Sequence, residues 1–166
     1  MSIFKPVVFC LFLVGAFVLA LTMAAPVAKA AHGTPSAGWT IHIDAEKHFP
    51  NHQKEVAHHW CRAVAGAPGM LECQLYASDD NNAPLVGTEV IVSAATYKSF
   101  SLKEQAMWHY HKTEIPKVNA KMPDVSAVAA KKMVAALTET YGKNFILWDP
   151  MDNKLPIGQP VVGVPH

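Results

Sequence analysis

The chain has 166 residues, with 14 lysines and arginines against 13 aspartates and glutamates, a formal charge of +1. That balance, with no basic stripe interleaved with aromatics, excludes a nucleic-acid partner recognised through its phosphates. The length bounds the fold to one domain with a real core.

The chain opens MSIFKPVVFCLFLVGAFVLALTMAAPVAKAAHG. One lysine, an uncharged apolar run and the small-residue pattern Ala28, Lys29, Ala30 read as a secretory signal peptide over residues 1–30, cut after Ala30. The alternative is an uncleaved inner-membrane anchor through residues 7–25, close to the roughly 20 residues that span a bilayer. Cys10 lies inside the apolar run and would leave with the signal. Lys5 and Lys29 would leave too, so 14 basic side chains become 12 against 13 acidic ones, a net charge of −1. The expected location is periplasmic or secreted. Cys61 and Cys73 then form an even pair in an exported chain, which favours a disulfide.

Residues 31–40 are small and turn-prone, a flexible lead-in to a single domain over residues 41–166. Ile41 and Ile43 alternate with His42 and Asp44, the pattern of a short strand. KEVAHHWCRAV, Lys54 to Val64, reads as the first arm of a hairpin, Ala65–Gly69 as its turn, and MLECQLYA as its second arm. Pairing Val64 with Met70 sets Arg62 opposite Glu72 and Cys61 opposite Cys73. Opposed Cα atoms on antiparallel strands are about 4.5–5.5 Å apart, within disulfide range. Two buried thiols packed side by side fit the same pattern.

After the polar loop SDDNNAP, the run LVGTEVIVS predicts a third strand of a meander, with Glu89 and Ile91 on the face opposite Val86, Thr88, Val90 and Val92. Ser101 and Glu104 have capping-box spacing, and predict a helix through about Trp108 that cannot pass Pro116. A second helix is expected from Pro123 or Asp124, with Val125, Val128, Ala129, Met133, Ala136, Leu137 and Tyr141 at helical spacing and Gly142 as its stop. Asn144–Trp148 reads as a last strand, and the proline- and glycine-rich tail as irregular. Strands, then helices, then one more strand indicate an α+β domain: an antiparallel sheet packed with two or three helices.

Three places could carry chemistry: His58, His59 and Cys61; Glu89; and WHYHKTE, Trp108 to Glu114. Zinc-like metals take imidazole, thiolate and carboxylate, yet there is no HExxH or CxxC spacing. On a strand His58 and His59 face opposite ways, so the two cannot easily share an ion. His109 and His111 share a side on a strand but lie about 200° apart on a helix, so the helix must end near Trp108 for both to meet one ion. With Cys61 and Cys73 bridged, a metal or polar site would be built from His58 or His59 with Glu89, His109 and His111. No serine sits in a nucleophile elbow. Trp108, Tyr141, Phe145 and Trp148 are spaced as core residues.

The ordered motifs AHHWC (Ala57–Cys61), ECQLY (Glu72–Tyr76), LVGTEVIVS (Leu85–Ser93), MWHYH (Met107–His111), TYGK (Thr140–Lys143), Trp148 and LPIGQP (Leu155–Pro160) resemble the oil-body-associated protein family over about Ile41–Pro160. The resemblance implies association with lipid bodies, as in plant members, and carries over no catalytic residue. Two departures stand out: Lys112, where the family pattern leads one to expect an acid, and the export signal, since plant members act on the cytosolic face of oil bodies. The resulting expectation is an exported, non-enzymatic protein whose partner is a lipid or envelope surface, with no cofactor assigned. The rival is a metal-dependent or histidine-based enzyme using His58 or His59, Glu89, His109 and His111 with a divalent metal, and a purely structural envelope protein is the third reading.

Overall fold

The alternating first half of the chain becomes four antiparallel strands: β1 (Ile41–Ala45), β2 (Ala57–Ala63), β3 (Leu71–Tyr76) and β4 (Leu85–Ser93). The computed structural model describes residues 38–163, so the expected signal sequence, Cys10 and most of the lead-in lie outside the described residues. The turn at Ala65–Gly69 holds Gly66 and Gly69 at φ of 79° and 76°, left-handed geometry that glycine adopts without steric cost. Its register sets Cys61 opposite Cys73 and Arg62 opposite Glu72, and the Val64 N–H donates to the Met70 carbonyl at 3.0 Å. Cys61 and Cys73 form a disulfide with Cα atoms 4.0 Å apart. The reading as two free thiols falls, and neither sulfur is available as a thiolate.

The second half runs α1 (Ala94–Lys98), α2 (Leu102–Gln105), β5 (His109–Tyr110), α3 (His111–Glu114), α4 (Ala127–Leu137), β6 (Thr140–Ile146) and β7 (Val161–Gly163). The helix expected through Trp108 stops at Gln105. Ser101 caps it by accepting from the Glu104 N–H at 3.3 Å, but the Glu104 carboxylate turns forward to accept from Trp108 Nε1 (2.8 Å) and Lys143 Nζ (2.7 Å). The chain is thereby drawn into pairing with β6. The next helix starts at Ala127, with Ser126 accepting from the Ala129 N–H at 3.3 Å, and ends at Leu137 rather than Gly142. Its inward side is Ala129, Ala130, Met133, Val134 and Leu137, while Val128 is 82% exposed. Tyr141 and Gly142, expected at the end of that helix, lie inside β6, because its seven residues pair with β4 from Gly87–Ile146 to Ser93–Thr140. Long-range pairing overrides helical spacing here. The tail, read as irregular, supplies β7 against Asn144–Ile146.

The strands form one antiparallel sheet in the order β1-β2-β3-β4-β6, with β5 and β7 sharing the outer edge of β6. This is the α+β architecture expected. Phe49, Ala57, Leu75, Val86, Ile91 and Ile146 pack around the disulfide as the core. Beyond α3 the chain crosses back to the far edge, where Asp44 and Lys121 exchange backbone hydrogen bonds of 2.9 Å and the Glu46 N–H reaches the Val118 carbonyl at 2.8 Å. That crossing partly covers the edge of β1 and roofs one face of the sheet. The four aromatics expected as core are only half-buried: Tyr141 stacks between Tyr97 (3.7 Å) and Tyr110 (4.7 Å), and Lys143 lies over Trp108 and Phe145.

Candidate metal centre

Sheet register assembles the site. Glu89 lies opposite Cys73 on β3 and Asn144 on β6, and directly opposed residues share a face. His59 is on that face and His58 on the other, as strand alternation requires. His109 stands opposite Gly142 on β6, and His111 opens α3. Gly142 makes the meeting possible. A Cβ there would collide with Glu89 Oε1 and come within 2.6 Å of His109 Nε2.

Glu89 is 5% exposed and sits between two groups of histidines. Its Oε1 is 3.3 Å from both His109 Nε2 and His111 Nε2, and its Oε2 is 3.6 Å from His59 Nε2. Behind His59, His48 Nε2 is 3.1 Å away. Burial opposes ionisation of Glu89, yet His109 and His111 override it and hold the carboxyl well below its ordinary range. Burial, reinforced by the neighbouring imidazole, pushes His48 down from 6.5 to about 3, and burial lowers His59 as well.

The far nitrogens of these rings fix where the protons sit. His48 Nδ1 faces the Glu46 carbonyl at 3.0 Å, and His59 Nδ1 faces the Ile43 and Ala57 carbonyls at 3.1 and 3.0 Å. A carbonyl only accepts, so both Nδ1 atoms carry hydrogen. Thr140 donates its hydroxyl to the Leu137 carbonyl at 2.7 Å and so accepts from His111 Nδ1–H at 2.8 Å. His48 and His59, kept neutral by burial, therefore aim bare Nε2 lone pairs at one another, and His59 aims its own at the Glu89 carboxylate, acceptor against acceptor, while His109 and His111 turn Nε2 toward the same carboxylate. A divalent cation satisfies that arrangement. Donors about 2.0–2.2 Å from one ion lie on the order of 3.0–3.4 Å from each other, the spacing seen around Glu89. Anchoring each ligand ring through its second nitrogen is how metal-binding histidines are held.

Above the cluster lies a cavity of about 190 Å³, walled mainly by Ile43, Ile91, Ile115, Val118, Val134 and Leu137. The floor is the sheet; the roof is the crossing segment and α4. Glu89, His109 and His111 make a two-histidine, one-carboxylate set, which suits a first-row transition metal with positions left open toward the cavity. Of the residues singled out from the sequence, the structure gathers His59, Glu89, His109 and His111, and places His58 on the opposite face. Lys112 points away and pairs with Glu139 at 3.1 Å. Sequence reasoning missed His48, Thr140 and Gly142. His48 lies in HFPNHQ, a stretch with neither strand nor helix periodicity, and Thr140 and Gly142 gain meaning only from the pairing of β6. Asn144, also missed, lines the cavity with its Oδ1 buried and without a hydrogen-bond partner, as is His109 Nδ1.

The molecule is thus an antiparallel α+β domain with a buried histidine–glutamate cluster beneath an apolar cavity. Its sequence matches the family described as "Protein of unknown function (DUF1264)" over residues 34–165. The chain belongs to that family, the family of the oil body-associated proteins. Relatives include oil body-associated protein 2C of Arabidopsis thaliana, 35% identical over 62% of this chain and 43% of its own length. Oil body-associated protein 1B of Arabidopsis thaliana is 36% identical over 64% of this chain and 44% of its own. Oil body-associated protein 2A of Zea mays is 32% identical over 70% and 46%. The chain therefore spans less than half the length of these curated relatives. No solved structure matches.

Proposed function

We propose that this domain holds a divalent first-row transition metal on Glu89, His109 and His111, supported by His59 and His48, and that the metal acts on an apolar, lipid-like molecule held in the cavity above it. The observation that carries this reading is the convergence of imidazole Nε2 atoms on a buried carboxylate, with His48, His59 and His111 anchored from behind, at the base of an apolar chamber. Held by Glu89, His109 and His111, such a metal would supply Lewis acidity, polarising an oxygen of the bound molecule or lowering the pKa of a bound water. The chain supplies the orientation: the Ile43, Ile91 and Leu137 walls bind the apolar part, and Glu89 fixes the ion.

A second reading, non-enzymatic association with a lipid or envelope surface, is favoured by the names of the relatives and by the exposed Met151, Leu155 and Ile157 of the tail. In both readings residues 1–30 export the domain. The Cys61–Cys73 disulfide supports that, since such bonds persist in oxidising compartments.

The test is metal content. The full chain is reconstituted with Zn²⁺, Fe²⁺ or Mn²⁺ and dialysed. Glu89→Gln and His109→Ala are each expected to lose one equivalent per chain, with affinity at that site weakened at least about tenfold. Equal metal content in the wild type and both variants would overturn the metal-dependent reading. A fluorescent fatty acid displaced by Leu137→Trp, with Glu89→Gln as control, then tests the cavity.

A further inference from the structure

The opposite face of the sheet carries a second histidine–carboxylate cluster that the centre around Glu89 does not use. His42 and Asp44 project from β1, His58 from β2, and Asp79 comes from the loop between β3 and β4. His42 Nε2 is 3.1 Å from Asp44 Oδ1 and 3.0 Å from Asp79 Oδ1. His58 Nδ1 is 2.8 Å from Asp44 Oδ1 and 3.0 Å from Asp79 Oδ2. Each imidazole thus meets both carboxylates, and one donor atom from each of the four residues lies within 4.8 Å of all the others.

We propose that His42, Asp44, His58 and Asp79 form a second, structural site for a divalent metal, with zinc as the probe. Three features carry it. His42 Nδ1 is tied to Asp124 Oδ2 at 3.0 Å, and the ring, its side chain only 3% exposed, is stacked on Trp60 at 4.3 Å. A carboxylate only accepts, so His42 Nδ1 carries hydrogen toward Asp124, and the ring held in this way directs Nε2 between two further carboxylates, Asp44 and Asp79. This is the carboxylate–histidine–metal arrangement that orients ligand rings. His58 Nδ1 is buried and lies near two carboxylates, yet it makes a well-directed hydrogen bond to neither. It is aimed between them, where an ion would sit. Finally, three carboxylates, Asp44, Asp79 and Asp124, converge on two imidazoles, and a divalent ion with two nitrogen and two oxygen ligands would offset most of the carboxylate charge.

The site joins pieces of chain far apart in sequence. Asp79 fixes the polar loop Ser78–Pro84 to the sheet, and Asp124, reaching His42 from behind, fixes the segment that leads into α4. The role is therefore structural, a clip on the face away from the cavity.

The experiment counts zinc by mass spectrometry on the full chain after chelation, reloading and dialysis. Two zinc ions per chain are expected in the wild type, one in Asp44→Asn/Asp79→Asn, and one in Glu89→Gln/His109→Ala. Substituting Co²⁺ into Glu89→Gln/His109→Ala should give visible absorption from the second site alone, absent when His58→Gln is added. Circular dichroism checks folding; should the double aspartate variant unfold, Asp79→Asn alone, on its exposed loop, must still lower zinc affinity at least about tenfold. An unchanged zinc count in the aspartate and His58 variants would mean an imidazolium–carboxylate network only, and would overturn the second site. That failure is separable from failure of the centre around Glu89, because each pair of substitutions removes one ion and leaves the other.

Discussion

Gly142 is the residue on which the buried cluster turns. It is enclosed by Glu89 and His109, and the smallest side chain would drive into both. Gly142→Ala is therefore expected to separate the carboxylate from its histidines and weaken metal binding at that site at least about tenfold, while far-ultraviolet circular dichroism stays unchanged. Metal titration of the variant checks it; wild-type affinity would mean the ligands are not arranged as described. The same residue shows what the sequence left illegible. A glycine after a run of helical spacing reads as a helix stop, and only its placement opposite His109 reveals a glycine kept small for a close approach. His48 was hidden likewise, since nothing in HFPNHQ signals that its first imidazole folds back onto His59. Glu89, His109 and His111 were candidates by residue type, and strand alternation placed His58 and His59 on different faces without saying which of the two would join them.

Among the elements, the register of the β2–β3 hairpin was readable to the residue, because turn glycines, alternation and an opposed cysteine pair all specify it, although the first strand begins at Ala57 and not at Lys54. The elements after Phe100 were not, because β5 and β6 are made by pairing with sequence-distant strands rather than by local preference. The hairpin is also where a covalent bond supports the site: Cys73 lies opposite Glu89 in the sheet. Replacing both cysteines by serine opens a link with a sequence separation of 12 residues and is expected to cost about 3 kcal/mol. Urea unfolding of the variant, and of the wild type with reductant, checks it. A midpoint unmoved by either change would show that packing alone holds the hairpin.

Across the whole molecule, contacts between the loop after β1 and the C-terminal tail close the structure. His52 Nδ1 is 2.9 Å from Asp149 Oδ2, a link across 97 residues. The hydrogen bond to Asp149 raises the His52 pKa above 6.5. A raised folded-state value means that this tether contributes fully below about 6.5 and is lost as the pH climbs through the raised value. Since the side chain is 33% exposed, solvent screening keeps the contribution small, and NMR titration is the sensitive test. The His52 ring protons should titrate above the ordinary histidine value and return to it in Asp149→Asn. A normal midpoint in the wild type would remove the tether.

The adjacency of His58 and His59 on β2 also bears on how such a chain can change over generations. One histidine serves each face, so inserting or deleting a single residue in β2 would slide the remainder of the strand by one and exchange the two sets of ligands. Substitutions can be absorbed one at a time, but length cannot. Gains and losses of residues in a lineage carrying both clusters should therefore collect in the Ala65–Gly69 turn and the tail beyond Trp148, leaving β1 to β4 of constant length.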